Sequence, residues 1–178
     1  MIYNEKFAVV PLTTHIDVKK VSQSINQKKI LSKIRTLNFA YKEIFNKQPV
    51  IKVLGLNPHN GEMRKNSEES KIIFPAVNKL KNERVKISGP FSVDEVFLKT
   101  LKDKEVVVGM YHDQVLAPFK ALFGFDAVNI TCGLPYIRMS PDHGVAEDKK
   151  KLNISNPKSL DRCIEILSKL SKWNLKNL

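Results

Sequence analysis

The 178-residue chain is short of cysteine, arginine and long apolar runs, and each shortage removes a class of protein. Two cysteines, Cys132 and Cys163, cannot build a framework of bridges, and they lack the paired spacing of a zinc knuckle. They are expected to be core thiols in a reducing compartment. No apolar stretch approaches the roughly 20 residues that a membrane helix needs. The first residues also lack a basic start, an apolar core and a small-residue cleavage site. A soluble, cytoplasmic protein without a membrane partner is expected. Glycine-rich phosphate loops are missing too: no GxGxxG follows a strand, and no GxxxxGK precedes Ser or Thr, so neither a Rossmann pyrophosphate turn nor a P-loop is present. There is no Gly-x-Ser-x-Gly elbow.

Enough apolar sequence is present, 42% of residues, to bury a real core. The balance of 30 Lys and Arg against 18 Asp and Glu gives +12 at pH 7, which would suit a polyanion or a phosphorylated substrate. Only five of the cations are arginine (Arg35, Arg64, Arg84, Arg138, Arg162), and the lysines are scattered through helical stretches rich in Asn and Ile. That pattern describes solvated faces. A nucleic-acid binder normally shows a clustered stripe or a recognisable module, and neither is here, so no nucleic-acid partner is expected.

One arrangement recurs: a short Val- and Ile-rich run, a polar turn, then an amphipathic helix. This is the signature of βα units. The runs are Phe7 to Leu12, Val50 to Leu56, Glu105 to Met110 and Val128 to Cys132. A long helical pattern carries Ile30, Leu31, Ile34, Leu37, Ala40, Tyr41, Ile44 and Phe45 after a break near Asn26 and Gln27. Another carries Ile73, Val77 and Leu80. Asp94 is placed to cap a short helix with Val96, Phe97 and Leu101. Asn156 as cap, with Pro157 behind it, opens a last helix whose apolar stripe is Leu160, Cys163, Ile164, Leu167 and Leu170. The expected fold class is α/β, a largely parallel sheet with flanking helices.

Three of the four histidines, His15, His59 and His112, follow directly on three of these strands. In an open parallel sheet the carboxyl ends share one edge, and ligands bind there. Each residue alone reads as a hydrogen-bonded loop histidine; three in the same structural position point instead to a site for Zn²⁺ or another divalent metal with a coordination position left open. Such a metal would polarise a hydroxyl and stabilise the alkoxide or enolate that follows. Asp113 suits either an orienting partner for an imidazole or an ordinary turn carboxylate. Further on come Lys120, Asn129 at a strand start, and Arg138 after the turn Gly133-Leu134-Pro135. A point charge, an amide and a planar guanidinium suit a phosphate held from several directions.

The motifs Leu54-Gly55-Leu56-Asn57-Pro58-His59-Asn60-Gly61-Glu62, Gly89-Pro90 with Asp94 and Phe97, Tyr111-His112-Asp113-Gln114, Gly133-Leu134-Pro135-Tyr136-Ile137-Arg138 and Ser140-Pro141-Asp142-His143-Gly144 resemble, in order, those of the 4-hydroxythreonine-4-phosphate dehydrogenases, the PdxA family of vitamin B6 biosynthesis. Thr13-Thr14-His15 fits that family's earlier histidine motif. The resemblance implies NAD(P)-linked oxidation of 4-phosphooxy-L-threonine, followed by decarboxylation to 3-amino-2-oxopropyl phosphate. It implies a divalent metal (Zn, Mg or Co) on His15, His59 and His112 at a site shared across a homodimer, a substrate held by Lys120, Asn129 and Arg138, and NAD or NADP as cofactor. A related phosphorylated sugar acid, threonate or erythronate 4-phosphate, is the alternative substrate; a non-catalytic fragment or a subunit of a split enzyme is the alternative role. The implied fold is that of the isocitrate and isopropylmalate dehydrogenases. The chain looks like the carboxyl-terminal half of the family or slightly more. Residues 1–126 are expected to form the metal-binding α/β domain with the dimer interface, and 127–178 to return to the cofactor and substrate domain. Where the family has small glycines after Glu62, this sequence has Met63 and Arg64. Glu147-Asp148-Lys149-Lys150-Lys151 replaces the family's Ala-Gly-Lys stretch.

Overall fold

The computed structural model describes residues 1–98, 102, 104–124, 126–142 and 156–174. Its centre is β5 (Glu105–Tyr111), in which Val106, Val107, Val108 and Met110 are completely buried. A β-branched run covered on both faces is what an interior parallel strand requires. β2 (Ala8–Thr13) and β3 (Val50–Leu54) flank it in parallel, and β4 (Ile87–Phe91) lies parallel to β3. On the far side of β2 a two-residue strand, β1 (Ile2–Tyr3), pairs antiparallel with both β2 and β6 (Val128–Thr131). β7 (Arg138–Pro141) closes the sheet antiparallel to β6, giving the order β4-β3-β5-β2-β1-β6-β7. The α/β fold with a mostly parallel sheet and flanking helices is therefore as expected. β1, β4 and β7 are additions that the periodicity did not reveal.

The helices are α1 (Val21–Ser24), α2 (Gln27–Phe45), α3 (Phe74–Asn82), α4 (Val93–Leu98), α5 (His112–Phe123) and α6 (Lys158–Asn174). The Asn26 side chain accepts from Lys29 N at 2.9 Å, so the expected break near Asn26 is an N-cap. α2 and α3 bury Ile30, Ile34, Leu37, Tyr41, Val77 and Leu80 against one face of the sheet. α4 and α5 bury Val96, Val115 and Phe119 against the other. A third cluster joins Ala40 and Ile44 of α2 to Val128 and Ile130 of β6 and to Cys163 and Ile166 of α6. α2 thus spans the parallel block and the β6–β7 hairpin. No helix among the described residues is long and apolar enough to cross a membrane.

Two details differ from expectation. Asp94 lies inside the first turn of α4, which Ser92 opens by accepting from Val96 N at 3.2 Å; Leu101 lies outside the described residues. α6 is capped as expected, Asn156 Oδ1 accepting from Lys158 N, but it buries Ser159, Cys163 and Ile166, while Leu160, Ile164 and Leu167 are exposed. The reason is local. Buried Ser159 accepts from Asp142 N at 2.8 Å and donates to Ala127 O, which fixes the rotation of α6 about its axis. Arg162 adds an ion pair to Asp126 at 3.0 Å. Since β6 and β7 pair into the same sheet as β2 through β1, sheet continuity does not mark a boundary at residue 126.

Candidate functional site

β3, β5 and β2 are neighbours and parallel, so their carboxyl ends lie side by side, and each is followed by a histidine: His59, His112 and His15. Buried polar side chains tie these ends together. Thr13 Oγ1 donates to Met110 O at 2.7 Å, joining β2 to β5. Gln114, also buried, accepts from Met110 N at 2.6 Å and donates to Gly55 O at 2.7 Å, joining β5 to the turn after β3. Both bonds of Gln114 satisfy backbone groups that would otherwise be orphaned at the strand ends, so an apolar side chain there would leave unpaired polar atoms.

His15 and His112 face one another with ring centroids 5.9 Å apart, over a cavity of about 200 Å³ lined by Thr13, Ile16, Val18 and Tyr111 among others. His112 Nδ1 and Asp113 Oδ1 are 2.6 Å apart. Of the two readings of Asp113, the geometry takes the orienting one: a carboxylate accepting from Nδ1–H leaves Nε2 with its lone pair free. The chemistry of the pair suits a divalent metal, two imidazole donors with a carboxylate behind one of them, but two donors are fewer than the three or four that a protein metal site supplies.

His59 stands on the next loop, exposed, in an unusual backbone. Five consecutive residues, His59 to Met63, have φ between 50° and 56°. Left-handed backbone costs an L-residue about 1–2 kcal/mol, so a run of it persists only when its surroundings hold it. Glu69, fully buried on the π-helical turn Glu69–Ile73, accepts from Leu56 N and Asn57 N, both at 2.8 Å, and from Asn57 Nδ2. Burial pushes its carboxyl pKa up, but these donors and its own backbone N–H outweigh that, leaving it below the ordinary value. Among the described residues no three His, Cys, Asp or Glu side chains converge as a metal site would need. The structure brings His15 and His112 together, and His59 to the adjacent strand end.

Lys120, Asn129 and Arg138 are spread along the β6–β7 hairpin, Lys120 at its Asp142 end and Arg138 at its Thr131 end. Lys120 Nζ pairs with Asp142 Oδ2 and donates to Asp142 O, both at 2.6 Å. Asn129 sits on β6 opposite Ser140, and Arg138 on β7 opposite Thr131, so all four occupy one face of the hairpin. Arg138 is exposed and donates to Thr131 Oγ1 at 3.0 Å. Thr131 and Arg138 lie at the same sheet edge as the histidines, because β6 runs in the direction of β2. His143, Gly144 and Glu147 to Lys151 lie outside the described residues. Gln114 and Glu69 are the residues that sequence reasoning missed. The available signal was a polar side chain on an otherwise apolar helix face.

A mostly parallel α/β sheet with imidazoles and Arg138 along the edge where its strands end defines an α/β protein of the class that binds ligands at that edge. Residues 1–167 match the family described as pyridoxal phosphate biosynthetic protein PdxA, and the chain belongs to that family. It is 46% identical over 171 residues to 4-hydroxythreonine-4-phosphate dehydrogenase of Aquifex aeolicus, covering 94% of this chain and 53% of that protein. It is 35% identical over 173 residues to D-threonate 4-phosphate dehydrogenase of Pectobacterium atrosepticum, covering 96% and 53%. The crystal structure of 4-hydroxythreonine-4-phosphate dehydrogenase from Klebsiella pneumoniae superposes with a TM-score of 0.78 at 34% identity, covering 95% of this chain and 52% of that one. The chain spans about half the length of the curated relatives it matches.

Proposed function

We propose that this chain supplies the metal- and substrate-binding edge of a dehydrogenase acting on a phosphorylated hydroxy amino acid. The reaction is NAD(P)-linked oxidation of 4-phosphooxy-L-threonine and loss of CO2 to 3-amino-2-oxopropyl phosphate, in vitamin B6 biosynthesis. The observation that carries the reading is the His15–His112 pair, 5.9 Å apart at adjacent parallel strand ends with Asp113 behind one ring. His15, His59 and His112 would hold a divalent metal (Zn, Mg or Co), with a second copy of the chain completing the site in a homodimer. When bound, the metal supplies Lewis acidity toward the substrate hydroxyl. Arg138 and Lys120 supply the charge that holds the phosphate, Lys120 exchanging its carboxylate partner Asp142 for the ligand, and Asn129 fixes its orientation. NAD or NADP, when bound, would supply the two-electron acceptor for this oxidation, and the β-keto acid so formed would lose CO2.

A second reading keeps the chemistry and changes the substrate to a sugar-acid phosphate, favoured by the similarity to a D-threonate 4-phosphate dehydrogenase. NADH absorbance with both substrates decides between them. A third reading is a subunit whose activity needs a complementary chain; its support is that the relatives are about twice as long. Assays with and without a candidate amino-terminal half separate that case. The metal assignment is tested by Zn²⁺ titration: His112→Ala should weaken binding by more than the roughly 100-fold that an outer partner is worth. Parent-like affinity in His112→Ala would refute it.

A further inference from the structure

The turn that carries His59 is exposed, but what holds it is buried. Glu69 has no exposed surface, and its oxygens take up the N–H groups of Leu56 and Asn57 as the chain leaves β3. Asn57 Nδ2 is shared between Glu69 and Glu68. One residue beyond His59, Asn60 Nδ2 donates to Pro90 O at 3.2 Å, tying the same turn to β4. The residues on both sides of His59 are therefore pinned, and two pinned neighbours fix the direction in which its Cα–Cβ bond points. The fit around the carboxylate is close. A Cβ on Gly61 would come within 2.8 Å of Glu69 Oε2, so the turn is moulded onto this group. An apolar side chain at position 69 would leave the partly buried N–H groups of Leu56 and Asn57 without their acceptor, and the left-handed run would lose its anchor.

We infer that Glu69 is a positioning residue for His59: a buried carboxylate that holds the left-handed turn in the one backbone state that presents this imidazole to a divalent cation. The inference rests on the proposal that His59 is a metal ligand. Glu69 acts at one remove, through the backbone of Leu56 and Asn57, and touches neither cation nor substrate. Partners of this kind set ligand direction and hence affinity.

The test uses the full chain and Co²⁺ alone, read by calorimetric titration and by the visible absorption of the bound ion. Glu69→Gln replaces the charged acceptor of the Leu56 and Asn57 N–H groups with a weaker neutral oxygen and sets its own amide N–H against Asn57 Nδ2, donor against donor, which loosens the anchor of the turn. It should weaken Co²⁺ binding about 10- to 100-fold and change the visible band. Val77→Ala, in the α3 core away from the turn, serves as the control for lost stability and should leave both readouts unchanged. Unchanged affinity and spectrum in Glu69→Gln would overturn the inference, as would an equal loss in Val77→Ala. His59→Ala distinguishes the two levels of the argument. If it keeps Co²⁺ affinity, the ligand assignment fails and the positioning role with it; if it loses affinity while Glu69→Gln keeps it, only the positioning role fails. Should Glu69→Gln not fold, Asn57→Ala removes the side-chain donor that Glu69 shares with Glu68 and should still weaken binding roughly tenfold, whereas Glu68→Gln, the control for the Glu68 bond, should not; no loss in Asn57→Ala is also a refutation.

Discussion

Gly61→Ala places a methyl group between the left-handed turn and the carboxylate that holds it. The backbone at Gly61, φ 56° and ψ 23°, is close to that of its neighbours His59, Asn60 and Glu62, so alanine can adopt it at a cost of about 1–2 kcal/mol. The new Cβ would lie 2.8 Å from Glu69 Oε2 and 3.0 Å from Ser67 Cβ, and something must move. Glu69 moves only by stretching its bonds to Leu56 N and Asn57 N, which adds about 1–3 kcal/mol for buried groups left poorly paired. The expected loss is therefore about 2–5 kcal/mol, read as a lower urea midpoint at constant slope. A double-mutant cycle isolates the contact. Glu69→Asp shortens the side chain away from the new methyl, so Gly61→Ala/Glu69→Asp should be less destabilised than the two single losses together, by about 0.5–3 kcal/mol. Additivity within about 0.3–0.5 kcal/mol would refute the reasoning, since it would mean that the methyl and the carboxylate do not meet.

Met63 ends the left-handed run at φ 50° with a half-exposed side chain that contributes little packing. Met63→Gly should raise stability by about 0.5 kcal/mol, the relief of the left-handed cost less the flexibility glycine gains when unfolded; a lower thermal midpoint would contradict this. The third prediction concerns acid. Glu69 has a folded-state pKa below its ordinary 4.5, so the unfolded chain takes up that proton first. Its contribution is complete above about pH 4.5 and is lost as the pH falls through the folded-state value. Thermal midpoints of parent and Glu69→Gln should accordingly converge on acidification below pH 4.5, and divergence would show that the sign is wrong.

How much of this was legible in the sequence depends on how local each cause is. β5 reads from Val106, Val107 and Val108 alone, because an uninterrupted β-branched run bounded by turns has few other uses. His15, His59 and His112 could be placed at strand ends for the same reason. Their mutual distances could not, because those depend on strand order, and β1 enters between β2 and β6 with only Ile2 and Tyr3 to announce it. The stripe on α6 shows a related limit: periodicity says that Leu160, Cys163 and Ile164 share a side of a helix, but the bonds of Ser159 to Ala127 and Asp142 decide which arc is buried. The roles of Glu69 and Gln114 stay hidden: a polar residue on an apolar helix face hints at burial, but their partners, Leu56, Asn57, Gly55 and Met110, are backbone groups that the sequence does not single out.

The imidazole edge and the hairpin bearing Asn129 and Arg138 are joined within the sheet by the backbone of two residues, Ile2 and Tyr3. The stiffer link is α2, which packs its first turns on the parallel block and its last on Val128 and Ile130. A straight helix of 19 residues spans about 28 Å at 1.5 Å per residue. It works as a splint across a narrow seam, so the distance between the histidine rings and the Arg138 guanidinium is gauged by a helix that supplies none of those groups. A kink introduced midway along α2 should consequently appear as altered ligand reach before it appears as unfolding.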